Sequence, residues 1–135
     1  MANALYDKGR EKFLRGELAW QTHDIRCALV TVTAGYTVDL ATHEFYSSVT
    51  DVIATSALLG SKTTTAGVAD AAKAIFSAVG GLSDGEAVII YRDTGNPATS
   101  PLIAYIDTAT GLPVTPNGGD IEVLWDTGAN KIFKL

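Results

Sequence analysis

Two Asp-Thr-Gly tripeptides, Asp93-Thr94-Gly95 and Asp126-Thr127-Gly128, are the residues of this 135-residue chain whose types most invite chemistry. Hydrolysis of a peptide by paired carboxylates needs two aspartates a few ångströms apart that share one proton. One then activates water while the other polarises the carbonyl. The second copy sits in "VLWDTGA", with apolar residues before it and a small one after, which suits that use. Each half of such a site also needs a long segment after its aspartate to brace the active loop. Only nine residues follow Asp126, and Asn96-Pro97 follows the first tripeptide at once. Both copies therefore read as chain reversals, in which Asp tolerates turn geometry and Gly supplies a positive φ.

Other constellations carry less. His23 and Cys27 are four residues apart in a β-prone stretch, where that spacing separates them by about 13 Å, too far to share a metal. His43 is remote from both, so the clustered His and Glu ligands of a cupin-type oxygenase are not available. A Ser-His-Asp triad would need a Gly-X-Ser-X-Gly elbow, which the sequence lacks. "VGGLSDGE" (79–86) is glycine-rich but has no lysine and no helix behind it, so it reads as a loop rather than a phosphate cradle. Trp20, Trp125, Tyr36, Tyr46, Tyr91 and Tyr105 could line a carbohydrate-binding face, although aromatics at this density more often fill a core or an interface. The expectation is a non-enzymatic protein with no cofactor and no metal.

Whole-chain properties narrow the class. The length suits one domain with its own core. The net charge of -5, with no basic cluster beyond the N-terminal turns, argues against nucleic acid as a partner. A single cysteine, Cys27, excludes an internal disulfide. No run of about 18 apolar residues exists to span a membrane. The start, "MANALYDKGREKFLRG", is too charged for the apolar core of a signal peptide. Synthesis in a cytoplasm, without processing, is expected.

The elements that must position any site begin with one helix. Asn3 is a candidate N-cap, and Arg15 then Gly16 supply the stop. Leu5, Tyr6 and Phe13 share a stripe with Leu14 at its edge, while Asp7, Lys8, Arg10, Glu11, Lys12 and Arg15 face outward. Gly9 at mid-helix costs about 1 kcal/mol, so the helix must dock, either on its own body or as an arm on a neighbouring subunit. After Trp20 the chain turns to short β-prone runs: 24–32, "YTVDL" (36–40), 52–59, 62–71, 73–79, 86–92, 101–107, 120–126 and 131–135. Turn residues such as Gly80-Gly81, Asp84-Gly85 and Pro116-Asn117-Gly118-Gly119 separate them. Many short strands at regular spacing predict an all-β sandwich of antiparallel, jelly-roll-like strands. An N-terminal helix or arm over 1–20 precedes a sandwich over 21–135.

Two of those strands are apolar on both faces. In "AVIIY" (87–91), Val88 and Ile90 point one way and Ala87, Ile89 and Tyr91 the other; "LIAYI" (102–106) is similar. At about 25 cal/mol per Å², leaving a second face wet would forgo several kcal/mol per strand, so something must cover it. The N-terminal helix can cover part of it and a neighbouring subunit is the alternative, which the mean hydropathy of +0.17 favours. The last residues, Lys131 to Leu135, have the look of a closing strand paired with "DIEVLWD" across a loop over Asp126 to Asn130.

The two ends, "MANALYDKGREKFLRGELAW" and "TSPLIAYIDTATGLPVTPNGGDIEVLWDTGANKIFKL", resemble small virion structural proteins of tailed bacteriophages, in particular capsid cement or decoration proteins. The resemblance implies a compact β-sandwich on the outside of an icosahedral shell, made in the host bacterial cytoplasm. It implies the major capsid protein as partner, self-association as a dimer or trimer, and no role for nucleic acid or membrane. Leu5, Tyr6, Phe13 and Trp20 near the start, and Phe133 and Leu135 at the end, are the contact candidates. A receptor- or carbohydrate-binding module of a head or tail fibre is the alternative, and a small hydrolase using Asp93 or Asp126 a third.

Overall fold

A computed structural model describes residues 3–81 and 83–135. In chain order the elements are β1 (Ala4–Leu5), α1 (Asp7–Leu14), β2 (Ile25–Val30), β3 (Val52–Thr55), β4 (Val68–Ala69), β5 (Ala74–Phe76), β6 (Ala87–Arg92), β7 (Leu102–Ile106), β8 (Ile121–Val123) and β9 (Phe133–Lys134). A five-stranded antiparallel sheet runs β1-β7-β6-β2-β3, and two ribbons, β4-β9 and β5-β8, form the second layer. The fold is mainly β with one helix near its start, the class the sequence predicts. The second layer is built of two-stranded ribbons rather than one broad sheet. "YTVDL" contains no strand, and Tyr36 is held there by burial instead.

The two-sided apolar strands sit in the middle of the sheet, as they must. On one face Val88 and Ile90 join Cys27, Leu29 and Ile103 against Phe76, Val123 and Trp125 of the ribbon layer. On the other, Ile89 and Tyr91 join Ala28, Val30 and Tyr105 under Tyr6 and Tyr36, with Val38, Leu40 and Tyr46 at the margin. Residues 87–91 and 102–106 are all buried within the single chain. This corrects the favoured expectation that a neighbour covers the second face. With Tyr6, the sequence between β2 and β3 supplies the cover, with no strand and only a single 3-10 turn at Tyr46–Ser48, which is why periodicity did not reveal it. A bulge adjusts the packing: Ile90 pairs Ala104 but Tyr91 pairs Leu102, so Ile103 is the extra residue. Ile103 and Ala104 thereby both enter the ribbon-side core.

Residues 3–20 are not a detachable arm. Ala4–Leu5 pairs with β7, and Leu5, Tyr6, Leu18 and Trp20 are all core residues. Asn3 is not the helix cap: its Oδ1 accepts from the amides of Asp107 (2.8 Å) and Thr108 (3.2 Å), and extended Tyr6 occupies the cap position without a side-chain bond. The far end follows expectation. Arg15 caps α1, and Gly16 at φ +75° turns the chain away. Arg15 reaches Glu11 at 3.7 Å. Lys12 does not face outward. It is buried, with Nζ 2.8 Å from Glu44 Oε1 and 5.1 Å above the Phe45 ring.

The closing hairpin is also corrected. β9 pairs with β4 (Ala69 opposite Phe133) and β8 pairs with β5 (Phe76 opposite Ile121). The side chains account for the choice. Phe133 meets the Trp20 ring edge-on at 5.3 Å and the Phe13 ring at 5.9 Å, while Trp125 donates to the Ala72 carbonyl at 3.0 Å. Each strand goes where its aromatic finds a socket. A turn at Lys131 (φ +43°) redirects the chain.

Gly9 explains how closely α1 can lie on β7. A Cβ there would stand 2.6 Å from the Leu102 carbonyl oxygen and 3.2 Å from Ile103 Cα. Helix propensity alone would make Gly9→Ala stabilising by about 1 kcal/mol. The contact reverses that sign. Gly9→Ala is expected to destabilise by about 1–3 kcal/mol, as forced overpacking does. Urea unfolding of the purified variant measures it.

Candidate docking groove

Anchoring Phe133 on Phe13 and Trp20 brings β9 alongside α1 and β1. Between them lies a groove of about 430 Å³, lined by Leu5, Arg10, Phe13, Leu14, Lys134 and Leu135. A second cleft of about 310 Å³ runs between Asn3–Leu5 and residues 130–134, with Ala104 and Ile106 of β7 among its lining. Leu5, Arg10 and Lys134 border both, so the two are continuous. A smaller hollow of about 100 Å³ adjoins them beside Trp20, Gly67 and Phe133. Leu14 is 89% exposed and Leu135 62%, the two most exposed large apolar side chains among the described residues.

The six contact candidates divide clearly. Leu5, Trp20 and Phe133 are buried and form the floor beneath the groove; Phe13 is half-buried in its wall, and Leu135 stands in the open. Tyr6 lies on the opposite face of the sheet, fully buried, with its hydroxyl 2.9 Å from that of Tyr36. Tyr36 in turn bonds His43 Nδ1 at 2.8 Å. Burial, then the Tyr36 bond, pushes the Tyr6 hydroxyl pKa far up, so this pair stays neutral. Sequence reasoning missed Arg10 and Lys134 on the rim and gave Leu14 only the edge of the stripe. Leu14 was the available signal, because it lies about 100° round the helix from Phe13, off the docked stripe.

The chemistry-bearing residues lie elsewhere. Asp93 closes a turn: its Oδ1 accepts from the Gly95 amide at 2.8 Å and its Oδ2 from Arg26 Nε at 2.6 Å. Asp126 Oδ1 accepts from the Gly128 amide at 3.1 Å. Both tripeptides thus form turns that the aspartate itself stabilises, and neither carboxylate bonds the other among the described residues. His23 accepts from the Ala19 amide; burial and the nearby Arg92 and Lys62 charges hold its pKa below the usual value. Cys27 is fully buried, which pushes its thiol pKa up. Among the described residues no cluster of three or more His, Cys, Asp or Glu could hold a metal ion. Of the six aromatics that could have lined a sugar platform, Trp20, Trp125, Tyr36, Tyr91 and Tyr105 are core residues. Only Tyr46 is partly exposed, stacked on Tyr91 at 4.2 Å. The "VGGLSDGE" stretch includes Leu82, which lies outside the described residues; Gly85 within it bridges to Val114.

Compared with protein-family models and with curated proteins, the chain matches none.

Asp93 offers a test of the turn assignment. The Gly95 amide and then the Arg26 guanidinium lower its pKa below the ordinary 3.8, against the opposing effect of burial. A depressed carboxylate stabilises the fold at pH values above the unfolded pKa, and that contribution disappears as pH falls through the folded pKa. Asp93→Ala should therefore cost about 1–2 kcal/mol at neutral pH. The gap between variant and parent should narrow below about pH 4. Thermal unfolding at several pH values checks both.

Proposed function

We propose that this protein is a non-enzymatic structural component of a bacteriophage capsid surface, a cement protein that bridges major capsid protein subunits. The observation that carries the reading is the meeting of the two terminal stretches, distant in sequence, at one partly apolar groove. Those same stretches hold the resemblance to decoration proteins. Each copy is closed by its own core, so the attachment is an addition to a finished fold. Leu14 and Leu135 anchor a larger interface, which for a specific contact covers roughly 800 Å² per partner. Repeated over a shell, such contacts raise the force needed to rupture it. The acidic remainder of the surface keeps a densely repeated protein soluble. Self-association on the capsid as a dimer or trimer belongs to the same proposal. The glycan-binding alternative finds no support in the aromatic residues, since five of the six candidates are buried.

The test is co-sedimentation with shells of the virus whose genome carries the chain. Leu14→Asp and Leu135→Asp replace exposed side chains, so stability should stay within about 0.5 kcal/mol of the parent. Occupancy of purified shells should fall severely for both variants. Full occupancy by both, with unchanged folding, would remove the groove from the attachment. Failure of the unaltered protein to bind any shell would remove the function.

A further inference from the structure

We propose that the groove and its adjoining cleft receive an extended strand of a partner protein, one whose side chains alternate between aliphatic and acidic. This deepens the reading above and rests on it for the partner's origin. Three independent features converge on the assignment.

The first is backbone geometry. In antiparallel pairing, alternate residues direct both N–H and C=O to the same neighbour. The Tyr6 amide bonds the Ile103 carbonyl at 3.0 Å while Leu5 sits opposite Ala104. The N–H and C=O of Leu5 therefore face away from β7. On the other wall the Leu135 amide bonds the Gly67 carbonyl at 3.0 Å, and Lys134 sits opposite Val68. The N–H and C=O of Lys134 face away from β4. Leu5 and Lys134 both border the two cavities, as Arg10 does, and each of these two lies on a strand at the open edge of a sheet. A backbone laid between them meets donors and acceptors on both sides, the basis of strand addition.

The second feature is charge. Lys8, Lys12, Arg15, Arg26, Lys73 and Lys131 each have a carboxylate partner, and Lys62 donates to the His23 carbonyl. Only Arg10, Arg92 and Lys134 have side chains with no hydrogen-bond or ion-pair partner among the described residues. Two of these three stand on the groove. Leaving cations unmatched at one place, in a chain of net charge -5, marks that place for carboxylates. The third feature is the lining itself. Phe13, Leu14 and Leu135 offer an apolar surface for the side chains that alternate with the acidic ones.

The test uses the full chain, isotopically labelled, and two short synthetic peptides: one alternating valine with glutamate, the other valine with lysine. The Val/Glu peptide should shift the amide resonances of Leu5 and Lys134 and slow their hydrogen exchange, and the Val/Lys peptide should not. The double variant Arg10→Glu with Lys134→Glu should bind the Val/Glu peptide about tenfold more weakly, the sum expected of two exposed charge pairs. It should also gain affinity for the Val/Lys peptide. Both residues are exposed, so folding of the variant is not at risk. Absence of shifts at Leu5 and Lys134, equal binding of both peptides, or indifference to the double reversal overturns the proposal. The same shifts produced by concentrating the chain alone would put a second copy in the groove, which also overturns it. Co-sedimentation of the parent with shells, compared with its peptide binding, separates the two readings. Shell binding by the parent without peptide binding sinks this inference alone, and peptide binding without shell binding sinks the capsid function alone.

Discussion

Two strands that cannot meet water on either face dictate the construction of this molecule. Residues 87–91 and Leu102–Ile106 carry aliphatic or aromatic side chains to both sides of the sheet, and all of them are buried. At about 25 cal/mol per Å² of apolar area, no arrangement that leaves one side wet competes. The two short ribbons seal one side, and an irregular stretch after β2, together with Tyr6 and Tyr36, seals the other. Even the N-terminal residues are recruited. Leu5 and Tyr6, adjacent in sequence, enter opposite cores because β1 is a strand of the same sheet.

The same requirement places the proposed docking groove. Sealing the ribbon-side core draws Phe133 onto Trp20 and Phe13, which lays β9 beside α1. The groove is what remains between two elements that meet through Phe13 and Phe133. Its exposed lining is a by-product of helical geometry. Phe13 turns in and Leu14, about 100° further round the helix, turns out. Gly9 sets the depth of the arrangement, since any larger residue would lift α1 from β7. The proposed attachment and the folding thus draw on neighbouring but different side chains of one corner, and substitutions on the rim can leave the core intact.

Much of the fold was legible where local patterns carry it. The apolar runs located the central strands β2, β6 and β7, and Arg15-Gly16 fixed the end of the helix. What failed were judgements that depend on tertiary partners. Asn3 has the right chemistry for a helix cap, but two amides of the Asp107 loop take its side chain instead. Lys12 carries a charge and was expected outside, yet Glu44 and Phe45, more than 30 residues away, hold it inside. Proximity in sequence favoured a hairpin of the last two strands, while aromatic sockets sent each to a different ribbon. The two-sided strands were read correctly as needing cover. The source of that cover was misjudged because residues 31–49 lack periodicity and pack Tyr36, and at the margin Val38 and Leu40, one at a time. At the groove, Leu5, Phe13, Phe133 and Leu135 were legible as apolar termini. Arg10 and Lys134 were not, because an unpaired cation is recognisable only once the partners of all the others are known.

Self-sufficiency of the core underlies every step of this account. Amide hydrogen exchange on dilute protein, repeated at rising concentration, tests it most directly. Amides of 87–91 and 102–106 should exchange only through global opening, at rates independent of concentration. Rapid exchange in the dilute sample, with protection recovered on concentration, would mean that a neighbour completes the fold and would contradict the account.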